Sequence, residues 1–220
     1  SAALNDGTYY GAHMEYLSTI IAQTNAYGSQ VNDAANNGST LSSKYDDNNP
    51  LAVQLRYIAQ MISGGLQTKV YILNVNGFDT HDSQVTSSDK TLGNHSDLLK
   101  RVSDAVEAFQ DDLALLNLEQ RVAGMTYSEF GRQIASNASL GTDHGDAAPL
   151  FMFGSCVGQL VTGSDPVIGT QIQNQEGLPM EIDFRDVYAS VLKNWFEVGE
   201  ADIQQMFEHQ VTYYQFLGGC

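Results

Sequence analysis

Three short runs of β-forming and apolar residues constrain this chain most: residues 68–75 (TKVYILNV), 121–127 (RVAGMTY) and 149–153 (PLFMF). Each is too short for a stable helix and is rich in branched or aromatic side chains, which suits a strand buried on both faces. Helical patterns surround them. Tyr9, Leu17, Ile20, Ile21, Thr24 and Val31 recur at helical spacing within residues 9–35. Leu51, Leu55, Ile58 and Ile62 do the same after Pro50, up to Gly64-Gly65. A long helix is expected from Ser96 through Leu116, another over residues 185–196, and an amphipathic stretch over residues 203–216. Helix, strand, helix, strand order predicts an α/β fold with a mostly parallel sheet flanked by helices. We expect one such domain over residues 1–220, with residues 198–220 as a C-terminal tail.

The charge balance narrows the function. The 220 residues hold 26 Asp and Glu against 10 Lys and Arg, a formal charge of -16. So acidic a chain offers few cations to displace counterions from a nucleic-acid backbone, and no nucleic-acid partner is expected. An anionic membrane surface is disfavoured for the same reason, and no apolar run reaches the length of a bilayer span. Hydrophobic residues at 42% still support a packed core. Cys156 and Cys220 are too few for a disulfide framework and match no metal motif. Cys156, within an apolar run, reads as a small buried hydrophobe. The acidic, Lys-poor balance points to an exported protein.

Chemistry concentrates where the expected strands meet loops, the place where open α/β sheets bind ligands. The first run leads into Asn76-Gly77-Phe78-Asp79-Thr80-His81-Asp82. The second leads into Ser128-Glu129-Phe130-Gly131-Arg132. The third is preceded by Gly141-Thr142-Asp143-His144-Gly145-Asp146. Carboxylate and imidazole side chains together are natural ligands of Zn²⁺ or Mn²⁺. Alone, each loop is equally an acidic turn with a solvated histidine. Arg132 suits an anionic substrate group or a neighbouring carboxylate. His95 opens the long helix, while His13 and His209 fit helix surfaces.

These loops together resemble the bacterial "domain of unknown function 1501" family. Leu55-Arg56-Tyr57-Ile58-Ala59, residues 65–70 (GLQTKV) and Asp183-Phe184-Arg185-Asp186-Val187-Tyr188 are similar to it too. That family resembles a branch of the alkaline phosphatase and sulfatase superfamily. The resemblance implies an alkaline-phosphatase-like sheet, with Asp79, His81, Glu129 and His144 as ligands of one divalent ion, zinc or manganese. Arg132, Asp143 and His95 would stand behind them or touch substrate. It implies hydrolysis of phosphate or sulfate esters, and a periplasmic or extracellular location. Phe130 stands where relatives place a histidine, which leaves one metal rather than two. The superfamily's first strand and its nucleophile are not evident ahead of the first helix. The chain therefore resembles the C-terminal part of a longer member, and we expect an N-terminal segment or partner chain to complete the sheet. The alternative expectation is a non-catalytic structural or assembly component of an exported complex.

Overall fold

The computed structural model describes residues 7–158 and 161–218. The elements in chain order are α1 (Tyr9–Asn37), α2 (Pro50–Ser63), α3 (Asn94–Leu115), a 3-10 turn (Glu119–Arg121), β1 (Gly124–Met125), β2 (Gly131–Arg132), β3 (His144–Gly145), β4 (Met152–Phe153), α4 (Phe184–Asn194) and α5 (Glu200–Met206). The helices follow their sequence signals. Thr8 caps α1 by accepting the Gly11 N–H at 3.0 Å. Asn49 caps α2, with Pro50 at the first helical position, where its missing N–H costs nothing. Asp183 caps α4 through the Arg185 N–H.

The expected parallel sheet is not there. The described residues form two small antiparallel sheets of two strands each, β1 with β4 and β2 with β3. A parallel pair needs a crossover of a dozen or more residues, usually a helix. The chain between β2 and β3, and between β1 and β4, holds no helix. A connection without one returns the chain antiparallel. The second and third apolar runs thus pair with each other, Gly124 opposite Phe153 and Met125 opposite Met152. Among the described residues, the first run, residues 68–75, joins no ladder. The stretch after Met206 is not helical either; Val157 bridges Leu217 there.

The chain divides into two compact units: Ser1–Asn74 with Asp104–Leu116, and Val75–Ser103 with Asn117–Cys220. In the first, α2 buries Ala52, Leu55, Ile58, Ala59 and Ile62. The last turns of α3 bury Ala105, Ala108, Phe109 and Leu113. Asp112 is fully buried there and accepts the Leu41 and Ser42 N–H groups at 2.6 and 3.0 Å, which fixes the polar loop after α1. In the second, Cys156, Val187, Phe216 and Leu217 form the core. Cys156 is buried as expected, but it is disulfide-bonded rather than a simple hydrophobe. Cys220 lies outside the described residues. Asp186, on α4, accepts from His209 at 2.7 Å and from the Thr212 N–H at 3.1 Å. His209 thus secures the C-terminal segment instead of facing solvent from a helix.

Candidate metal centre

The β2–β3 hairpin sets Arg132 directly opposite His144. Its loop turns back on the segment that carries Asp79 and His81. The Thr142 N–H donates to Thr80 O at 3.2 Å, and the Ser83 N–H donates to Ser139 O at 3.0 Å. Gln84 Oε1 accepts from both Thr80 Oγ1 at 2.8 Å and Thr142 Oγ1 at 2.7 Å. Both hydroxyls are buried. Gly141 lies against the His81 backbone, where any Cβ would overlap the His81 carbonyl. Only glycine permits that approach.

These ties bring three exposed ligand groups together. One ligand atom from each of Asp79, His81 and His144 lies within 4.8 Å of the others. Asp79 Oδ1 is 3.1 Å from His81 Nε2 and 2.9 Å from His144 Nε2, and the two imidazole nitrogens are 3.3 Å apart. Glu129, expected beside them, is exposed and stands outside this group. Phe130 instead lies on the His144 ring, and the Arg132 guanidinium carbon is 4.9 Å from the Phe130 ring centre.

The remaining predicted residues brace the cluster. Arg132 donates to Asp79 Oδ1 at 2.7 Å, to Phe78 O at 2.6 Å and to Thr142 O at 2.8 Å. His144 first, and then Arg132, hold the Asp79 carboxyl below the usual carboxylate range, against an opposing desolvation effect that ranks between the two. Asp143 Oδ1 is 2.9 Å from His81 Nδ1. That contact and Asn137 keep Asp143 below its ordinary value. His95 lies edge-on to Phe78, with ring centres 5.9 Å apart, and is not among the converging ligands. Burial, then the Arg132 charge, lowers its pKa. Sequence patterns did not single out Gln84 or Asn137. Asn137 donates to His81 O at 2.8 Å and accepts from the Gly141 N–H at 3.1 Å. Its place in a short Ser-Asn-Ala-Ser turn was the only signal.

The donor set fits a divalent cation. With His81 Nδ1–H donating to Asp143, His81 Nε2 carries a lone pair toward the Asp79 carboxylate. Two acceptors facing each other at this range call for a proton or a cation between them. Two imidazoles and one carboxylate, open to solvent, are the ligand types and number that could hold one such ion.

The fold and the cluster together define a helix-rich protein with two small antiparallel two-stranded sheets and an exposed cluster of two histidines and one carboxylate among its described residues. The chain belongs to the DUF1501 family, described as a protein of unknown function, whose model matches residues 23–207. No curated protein and no solved structure matches it significantly. No helix among the described residues is long and apolar enough to cross a membrane.

Proposed function

We propose that this chain holds one divalent ion, zinc or manganese, on Asp79, His81 and His144, and belongs to an exported hydrolase of phosphate or sulfate esters related to the alkaline phosphatase superfamily. The convergence of the three ligand atoms carries this reading. A bound ion would supply Lewis-acid polarisation of an ester oxygen. The chain's own residues do the rest. Asp143 holds His81 with its Nε2 toward the site, Arg132 holds Asp79, and Phe130 holds the plane of His144. A cleft of about 250 Å³ beside Gly77, lined by Asn94, Asp97, Leu98 and Arg101, offers room for the organic part of an ester. Gly77 precedes Asp79 by two residues, at most about 7 Å of chain.

A second reading is a non-catalytic member kept as a structural component of an exported assembly. Its support is the state of the nearby hydroxyls. Thr80 Oγ1 is buried on Gln84, and Ser128 Oγ donates to Phe130 O at 2.8 Å, so neither is poised as a nucleophile. Elemental analysis after dialysis against zinc or manganese, combined with p-nitrophenyl phosphate and p-nitrophenyl sulfate assays on the intact parent protein, separates the two. Metal with turnover supports the enzyme; metal without turnover supports the structural role. A chain that takes up no metal overturns the site itself.

A further inference from the structure

The first unit exposes an apolar face that continues one of its own packing surfaces. Helix α1 packs on α2 through its C-terminal end, where Ala34 is buried and Gly64 lies against the Ala34 backbone. At 100° per residue, Tyr9, Tyr16, Leu17, Ile20 and Tyr27 fall on or beside the stripe of Ala34, all within about 40° of it except Leu17, which flanks it at about 100°. They are exposed by 82, 64, 51, 39 and 49% respectively. Among the described residues the stripe therefore runs on beyond α2 for about 28 Å, largely exposed. The acids of α1, Glu15 and Asp33, share one flank of the helix, about 100° from Ala34 and on the other side of it from Leu17, and α1 has no Lys or Arg.

The stripe meets an unpaired β-forming segment. Tyr27 Oη is 3.0 Å from Thr68 Oγ1. Among the described residues, no backbone–backbone hydrogen bond engages residues 67–76. Val70 and Ile72 are exposed by 60 and 74%, whereas the Tyr71 hydroxyl oxygen between them is buried, the alternation of a strand. Residues 64–78 contain no Asp or Glu, and Lys69 is their one cation. A chain of charge -16 thus presents one nearly uncharged, apolar face. The exposed stripe with Val70 and Ile72 amounts to on the order of 800 Å², the area per partner of a standard stable interface.

We propose that a second copy of this chain docks on this face, giving a twofold-symmetric dimer in which residues 68–73 pair antiparallel with their counterparts and the α1 stripes pack together. The surface is self-complementary. Pairing centred on Tyr71 sets Val70 of each copy opposite Ile72 of the other, and it satisfies the open backbone donors and acceptors. The low local charge lets two acidic chains approach here without bringing their carboxylates together.

The test is the solution mass of the 24.0 kDa chain by light scattering and sedimentation over a wide concentration range. The variants are Ile20→Glu on the helix and Ile72→Pro on the segment, each checked by circular dichroism for retained helix. The wild type is expected as a dimer, and each folded variant should weaken dimerisation by at least about tenfold. A third variant, Glu15→Gln on the acidic flank of α1, outside the stripe, should leave the dimer intact. A wild type that stays monomeric overturns the proposal, including one that sediments with phosphatidylcholine vesicles, which would assign the face to a bilayer. A dimer unaffected by both folded interface variants overturns it equally.

Discussion

Phe130 lies flat on His144, with ring centres 3.8 Å apart and planes 9° from parallel. The stacking fixes the plane of the imidazole whose Nε2 sits 2.9 Å from Asp79 Oδ1. A residue that offers no lone pair thus acts on the cluster by orienting one of its ligands. Phe130→Leu keeps an apolar side chain but loses the flat contact. Metal affinity should fall by about tenfold or more, the usual cost of losing a group that orients a ligand. Phe130→Tyr should restore it. Competition titration with a chromophoric chelator measures both.

Gln84 ties the two halves of the site together by accepting from two buried hydroxyls. Gln84→Leu leaves Thr80 and Thr142 without that acceptor. A buried unpaired polar group costs about 1–3 kcal/mol, so urea unfolding should show a loss in that range. Gln84→Glu, which retains the acceptor oxygens, should lose much less.

His81→Ala should abolish metal uptake while the circular dichroism spectrum stays that of the wild type. The His81 side chain is 49% exposed and carries little packing, so its loss removes a ligand and not a core residue. With one cluster of this kind among the described residues, elemental analysis of the wild type should give at most one tightly held ion per chain. Two ions per chain would refute the single-site reading.

The helices and the cluster were legible in the sequence for different reasons. Pro50 after a polar loop is a local signal, and the structure starts a helix there; the helix expected over residues 185–196 is found as Phe184–Asn194. The convergence of Asp79, His81 and His144 was legible because each sits where an apolar run meets a glycine-flanked loop. Glu129 has the same sequence context and stands outside the cluster, because the side chain at the site from that segment is Phe130. The sheet was misread because apolar character marks a strand but not its partner. Residues 68–75 have the composition of a buried strand, yet Val70 and Ile72 are exposed. Gln84 gave no signal, since its role depends on two hydroxyls 4 and 58 residues away in sequence.

Asp183 and Arg185 give a pH prediction. The Arg185 guanidinium donates to both Asp183 oxygens, and this pairing holds the Asp183 carboxyl down at about 2. The unfolded chain restores its ordinary value of 3.8, so between these values the unfolded state binds more protons. The stabilisation is therefore complete above the unfolded value and is lost as pH falls through 3.8 toward 2. Asp183→Asn keeps an N-cap acceptor but removes the charge. Thermal unfolding of the two proteins should differ near neutrality and converge as the pH approaches 2. A difference independent of pH would show that the ion pair contributes nothing.

Gly64 should resist replacement for a reason other than its backbone conformation. It follows α2 as its C-cap, which a sequence reading explains as a helix stop. Its φ of -78° is open to any residue, so backbone strain is not the reason for glycine here. The reason is contact: a Cβ at Gly64 would overlap the carbonyl of Ala34, and one at Gly38 would overlap the carbonyl of Gln60. The ends of α1 and α2 thus meet backbone to backbone, with Ala34, Ala52 and Ala59 buried in this unit. Gly64→Ala must push the helices apart, and overpacking of this kind costs about 1–3 kcal/mol. Gly65→Ala is the control, because nothing lies within 4 Å of a Cβ there, although its φ of 91° adds strain. Urea unfolding should therefore show a loss for Gly64→Ala with the Ala34 contact disturbed, seen as faster amide exchange in the last turn of α1. Gly65→Ala should lose stability without that change in α1. Equal exchange in α1 for the two variants would mean that the close approach at Ala34 does not hold the helices together.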